Sequence, residues 1–384
     1  MAHNSVSHKD QADCCGCGNC ANRCAKNAIV MKSDSEGYEY PVVHEQACIN
    51  CGLCLKVCPM EDVNSKATPC LNAFAGRVKN DSDLQTVASG GICTALSEAI
   101  IVTGGVVYGA AYSSDFKSAC VSRVDKVADL DKLKGSKYFQ TSKGDIVKQV
   151  NQDIHEGRKV LYIGMPCDVA AVKRYIGESE NLFTIDVICS GVPSPLAHRQ
   201  FVEHIENKTG EKVLCFTYRN KKHGWHWPYI VVRSNGKVLY SKPWSASELG
   251  LSFKMMMRPS CYHCKYKSGN NVADVTVGDF WGLKSSDQRY DKDGVSAIIV
   301  RSEKGSKLVS LLDNLTLQDA TYDEIVAHNP KLVNCAMENP KRQLFADTLV
   351  QSGIMEATEV CTTMKDRVAN VIKTACAILN INLK

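Results

Sequence analysis

No stretch of the 384-residue chain approaches the ~18 uninterrupted apolar residues that a membrane-spanning helix needs. The best candidate, residues 99–112, is cut by Gly104, Gly105 and Gly109, so no transmembrane segment is expected. The opening residues 1–13 carry polar and charged side chains and no apolar h-region. That excludes a secretory signal there and points to a reducing cytoplasm. An excess of one charge sign is also missing, since 46 basic and 41 acidic residues leave a formal net charge of +5. A balance this mild and dispersed argues against a nucleic-acid partner. With 44% hydrophobic and 23% charged residues the composition is that of an ordinary soluble protein. At roughly 100 to 200 residues per domain, two or three domains are expected.

Cysteine is what the chain has in quantity: 20 residues, in a chain far too long to need disulfide staples. Cys14, Cys17, Cys20 and Cys24 recur 34 positions on as Cys48, Cys51, Cys54 and Cys58, followed by Pro59. Two copies of C-x2-C-x2-C-x3-C are the spacing of a bacterial ferredoxin with two 4Fe-4S clusters, in which the fourth cysteine of each run ligates the other cluster. One cluster is therefore expected on Cys14, Cys17, Cys20 and Cys58, and the other on Cys48, Cys51, Cys54 and Cys24. Zinc shares the C-x2-C spacing, but it takes four ligands in two pairs rather than runs of four. Ala25 stands in the first copy where the second has Pro59, and Cys15 reads as a spectator able to substitute in the first run.

Four further cysteines sit in settings that look chosen. Cys167 follows the apolar run 159–163 through Gly-Met-Pro, Cys189 closes the run 182–188, and residues 168–175 between them read as a helix. In a parallel sheet this order puts both sulfurs at the carboxyl ends of neighbouring strands, where open α/β sheets bind ligands. Cys261 and Cys264 add another C-x2-C before a strand at 272–277. Together they suggest a third 4Fe-4S cluster on Cys167, Cys189, Cys261 and Cys264. The competing reading is a redox dithiol or zinc knuckle at Cys261 and Cys264, with Cys167 and Cys189 merely buried.

The fold class expected is α+β: a ferredoxin-type two-cluster module followed by an α/β domain with a β-rich insertion. The segments are 1–65 (ferredoxin), 66–83 (linker), 84–158 and 159–335 (two parts of the α/β domain), and 336–384 (helical tail). Ser89-Gly-Gly-Ile-Cys-Thr94 opens a helix whose free N–H groups suit a phosphate, or is a plain cap and turn. Residues 213–240 turn β-rich, with Ser-Asn-Gly as a hairpin signal. The basic, aromatic loop 219–227 suits an anionic or planar ligand, or is solvated with one anchoring Trp. Asp279, at a strand end between glycines, suggests a ligand contact or a turn cap. The tail spaces Met364, Val368, Val371, Ala375 and Leu379 as one helical stripe, expected to dock on the domain.

These motifs, Ala88-Ser-Gly-Gly91, Lys134-Gly-Ser-Lys-Tyr138, Gly164-Met-Pro-Cys167, Val187-Ile-Cys-Ser-Gly-Val-Pro-Ser-Pro195, Tyr218-Arg-Asn-Lys-Lys-His-Gly-Trp225, Arg258-Pro-Ser-Cys-Tyr-His-Cys264 and Gly278-Asp-Phe-Trp-Gly282, run in order. With them the chain resembles the beta subunits of coenzyme F420 hydrogenases and dehydrogenases, in a version with an N-terminal two-cluster ferredoxin. The resemblance covers residues 14 to 285. It implies FAD beside an iron–sulfur cluster, and F420 or another organic molecule as the two-electron donor or acceptor. Ser89, Gly90, Gly91 and Thr94 would then contact FAD, with Lys137 as phosphate counter-charge and Asp279 near the isoalloxazine; no catalytic residue is assigned. Two departures stand out: Asp168 replaces the family's Gln after Cys167, and Ser190 replaces its His after Cys189, which puts a proton-transfer role there in doubt. Flavin takes electrons in pairs and clusters pass them singly, so the implied path runs from organic donor through FAD and the third cluster to the ferredoxin clusters and a redox protein partner or complex, or the reverse. The alternative is an electron-relay subunit of a larger redox or biosynthetic complex without turnover of its own.

Overall fold

The computed structural model describes residues 4–61, 63, 69–312 and 314–379. Residues 66–68 of the expected linker, 380–384 of the expected tail, and 1–3, 62, 64 and 65 of the first segment lie outside them. Thirteen strands are described: β1 (Ile29–Ser33), β2 (Glu39–Val43), β3 (Asn72–Val78), β4 (Val106–Tyr112), β5 (Ala119–Val124), β6 (Val160–Gly164), β7 (Leu182–Val187), β8 (Cys215–Asn220), β9 (Tyr229–Ser234), β10 (Lys237–Pro243), β11 (Val275–Asp279), β12 (Ser296–Val300) and β13 (Leu315–Ala320). β1 and β2 pair alone as a hairpin, and β10, β9 and β8 form a three-stranded sheet. The remaining eight form one sheet in the order β13-β3-β12-β11-β7-β6-β4-β5.

The middle of that sheet, β4, β6, β7 and β11, is parallel, and its strands read as near-continuous apolar runs because both faces are covered. Alternation along the strands splits the core in two. Val107, Leu161 and Ile185 pack on the helix Ile92–Val102, while Val106, Tyr108, Val160 and Tyr162 face the helices Ile146–His155 and Pro166–Ile176. The hairpin between β9 and β10 turns at Asn235 and Gly236, both with positive φ (44° and 81°), as a tight two-residue turn requires.

Two expectations need correction. Residues 72–78 read as part of a linker, yet β3 lies inside the large sheet, hydrogen-bonded to β12 and β13. Asn72, Gly76 and Arg77 break up its apolar pattern. A Cβ at Gly76 would stand 2.6 Å from the end of the Ile298 side chain and 2.7 Å from that of Leu317, so both would have to shift. The tail helix Met364–Leu379 touches the turn Trp244–Ala246 and β10, but with its other side. Met364, Val368 and Val371 are 73%, 56% and 70% exposed, whereas Ala369, Lys373 and Thr374 are half-buried. The side chain of Leu379 lies outside those described. Periodicity identifies an apolar face without saying which way it turns. Among the described residues no helix is long and apolar enough to cross a membrane.

Candidate metal centres and adjoining cavity

The cysteine repeat is also a backbone repeat. Gly18 and Gly52 cap two short helices, Asn19–Arg23 and Leu53–Lys56, with nearly identical left-handed angles (φ 76°, ψ 0° and φ 74°, ψ 0°). Two residues earlier, Gly16 and Asn50 are left-handed as well (φ 72° and 52°). Left-handed residues alternating with ordinary ones curl successive N–H groups inward, the concavity that receives anionic iron–sulfur groups. The sulfurs follow. Burial pushes the Cys20 thiol up to about 12, and Cys14 and Cys58 add to the rise. Burial likewise pushes Cys58 up to about 11, with Cys14 among the contributing charges. Cys20 also raises the cost of ionising Cys17. Burial raises Cys54, with Cys48 a further cause, while Cys24 accepts a hydrogen bond from the Ala28 N–H at 3.3 Å and Cys51 is exposed.

The third set also converges. β6 and β7 are parallel neighbours, so Cys167, the second residue of the helix Pro166–Ile176 that follows β6, and Cys189, just past β7, share one sheet edge. Burial pushes Cys261 up to about 12 and Cys264 up to about 11, and Cys189 raises both. Cys264 in turn raises Cys167. Thiols gathered this way resist ionising together, and a bound metal is what holds such a donor set as thiolates. The first two quartets suit two ferredoxin-type clusters, and the third gathers four more thiols at the sheet edge. Among the described residues no three His, Cys, Asp or Glu side chains stand close enough to hold one metal ion; a cubane distributes its sulfurs over four irons and does not ask for that closeness.

Two features escaped the sequence. Cys15 bridges two groups: its hydrogen bonds with Cys167 of the third quartet and Cys17 of the first favour its thiolate. Arg258, 1% exposed, donates to the Cys14 carbonyl (2.7 Å), the Gln140 Oε1 (2.7 Å) and the Glu39 carbonyl (2.9 Å). Its guanidinium lies 4.2 Å from the Tyr40 ring. Asn19 donates to the Ala171 carbonyl at 2.7 Å, on the helix that carries Cys167, and Tyr266 donates to the Pro59 carbonyl. The ferredoxin segment is thus bolted to the sheet edge where the third quartet sits.

Along that edge opens a cavity of about 840 Å³. Ser89, Gly91, Thr94, Lys137 and Asp279 line it, and so does Cys189. Gly90 does not. It lies beneath the wall, its N–H donating to Ser296 Oγ at 2.9 Å, with no room for a Cβ, which would stand 2.3 Å from the Gly76 carbonyl. The Ser89 hydroxyl is committed to the Val295 carbonyl at 2.9 Å. The helix after Gly91 has no side-chain cap, which leaves its first N–H groups for a ligand. The Lys137 amine turns back onto the carbonyls of Lys134 (2.9 Å), Leu133 (3.2 Å) and Gly135 (3.2 Å), and burial lowers its pKa to about 7. It holds its own loop closed. Asp279 pairs bidentately with Arg219 at 2.6 and 3.0 Å, so both charges are fixed in the wall.

The basic, aromatic loop forms part of that wall rather than a solvated excursion. Trp225 is fully buried and stacks on Trp281 at 4.8 Å, and Lys221 donates to the Leu84 and Ser89 carbonyls at 2.6 and 2.7 Å. Asp168 also lines the cavity. Its Oδ2 lies 3.1 Å from the Lys143 amine, which donates to Thr141 Oγ1 at 2.5 Å.

Two ferredoxin-spaced cysteine runs, beside a thiol group that reaches the cavity through Cys189, define an electron-transfer protein of the iron–sulfur oxidoreductase type. The family models agree: residues 157–322 match the C terminus of the coenzyme F420 hydrogenase/dehydrogenase beta subunit, and residues 13–61 match a 4Fe-4S dicluster domain. The chain thus carries the C-terminal domain of the coenzyme F420 hydrogenase/dehydrogenase beta subunit behind a 4Fe-4S dicluster domain. Among solved structures it is similar to a chain of the F420-reducing [NiFe] hydrogenase complex of Methanosarcina barkeri, at a TM-score of 0.48 and 17% identity, over 76% of this chain and 91% of that one. No curated protein matches the chain.

Proposed function

We propose that the chain is an iron–sulfur flavoprotein oxidoreductase that passes electrons between a two-electron organic donor or acceptor, F420 or another small molecule, and one-electron carriers. The observation that carries this reading is the position of Cys189, which lines the cavity and belongs to the thiol group of Cys261 and Cys264. When bound, FAD would supply hydride chemistry in the cavity and release electrons singly to clusters. The chain's part is to position and insulate. The uncapped N–H groups after Gly91 offer a phosphate site, and Trp281 with the Arg219–Asp279 pair makes a rigid wall. Cys15 joins the third quartet to the first, and the exposed Cys51 brings the second quartet to the surface, where a redox protein partner or complex would receive the electrons.

The test is the metal and flavin content of protein purified without oxygen. About twelve irons, from three clusters of four, with matching acid-labile sulfide and one FAD per chain, is the expected result. About eight irons and no flavin would overturn the reading and leave an electron-relay subunit.

A further inference from the structure

We propose that Asp168 is a ligand-binding residue of the cavity, its Oδ1 accepting a hydrogen bond from a ring N–H of the planar redox molecule seated there. The inference rests on the reading that the cavity takes such a molecule. Asp168 is 4% exposed and faces the cavity. Its two oxygens are treated differently. Oδ2 is engaged by the Lys143 amine at 3.1 Å and by the Met165 N–H at 3.5 Å, whereas Oδ1 is buried without a partner. Buried polar atoms are nearly always hydrogen-bonded, and an orphan calls for an explanation.

The carboxylate is not free to rotate toward a partner within the protein. Turning it would break both bonds to Oδ2, and the Lys143 amine is itself held by Thr141. Gly164 makes the room, since a Cβ there would stand 3.1 Å from the Asp168 Cβ. The outcome is one acceptor atom held in place at the start of the helix Pro166–Ile176, next to Cys167 and on the same sheet edge as Cys189. A carboxylate oxygen only accepts, so its partner must bring a hydrogen. A ring N–H of a flavin-like heterocycle supplies one, and at this place it would set the ring beside the third quartet.

The probe is FAD, with full-length protein kept anaerobic and its clusters intact. Asp168→Ala should bind FAD roughly 10-fold or more weakly, the factor that one hydrogen bond to a charged group contributes. Asp168→Asn, which keeps an acceptor oxygen and loses the charge, should fall between and shift the bound flavin's visible absorption. Iron content should match the wild type in both. If Asp168→Ala disturbs folding, the isosteric Asn variant decides alone through its affinity and spectrum. Unaltered affinity and spectrum in the variants, with FAD bound by the wild type, would overturn the role of Asp168 and leave the flavin reading standing. A wild-type chain that neither carries nor binds FAD would overturn both.

Discussion

Replacing Arg258 with lysine should loosen the seam between the ferredoxin segment and the sheet. The guanidinium reaches three acceptors in different directions, at 2.7, 2.7 and 2.9 Å, a fork that no ammonium reproduces. Lysine keeps the charge and can serve one acceptor, which strands two. Each stranded acceptor costs about 1–3 kcal/mol, so the loss centres on about 4 kcal/mol, or a factor of roughly 10³ in the opening equilibrium. The segment should not detach, because Arg342 still clamps Glu36 at 3.0 and 2.6 Å. The opening is local and measurable by amide hydrogen exchange on the anaerobic, full-length protein. Exchange should accelerate at residues 14–20 and 38–43 and stay at the wild-type rate in β6 and β7. Unchanged exchange in the first two segments would refute the view that Arg258 holds the seam.

Two other substitutions test the packing and the electrostatics. Gly90→Ala would bring a methyl group to 2.3 Å from the Gly76 carbonyl and 2.9 Å from the Ser296 N–H; neither backbone atom can yield without parting β3 from β12. It should cost about 3 kcal/mol or more, against about 1–2 kcal/mol for Gly104→Ala, where only a left-handed φ of 82° opposes the change, and equal losses in chemical denaturation would refute the close-approach argument. His198 is buried, its Nε2–H donating to the Phe116 carbonyl at 2.8 Å and its Nδ1 accepting from the Tyr218 hydroxyl at 2.9 Å, and desolvation lowers its pKa to about 4. Between about pH 6.5 and pH 4 the unfolded chain takes up a proton that the folded one refuses, so stability should fall by about 3 kcal/mol as the pH drops through that window. His198→Gln should flatten the decline in melting temperature over the same range; a parallel decline in both proteins would refute the assignment.

Much of the architecture was legible because burial on both faces writes itself as uninterrupted apolar runs. β4, β6 and β7 are such runs, and their parallel order places Cys167 and Cys189 on one edge. β3 was not legible, since its fit beside β12 and β13 depends on Gly76 and on small side chains such as Ala73 and Ala75, none of which marks a strand. The cavity was legible as a place and less so in its atoms. Ser89, Gly91, Thr94, Lys137 and Asp279 border it, but Lys137 is engaged with its own loop's carbonyls and Asp279 with Arg219. A motif shows that a residue type is needed at a position, and not which neighbour its polar atoms meet.

The same distinction explains Cys15 and Arg258. Cluster ligands must lie at fixed short intervals, because one loop has to wrap one cubane, and this spacing survives in the linear sequence as the repeat of 34. The residues between the quartets answer to a different constraint. Arg258 meets the Cys14 carbonyl across 244 positions, and Cys15 meets Cys167 from the far side of the same seam. Neither partner is near in sequence and neither contact repeats, so no periodicity encodes them. They exist only once the ferredoxin segment has settled on the sheet edge, with its first quartet facing the third. Docking thus sets the order in which the thiol groups stand between cavity and surface, through Arg258, Asn19 and Tyr266 rather than through any cysteine.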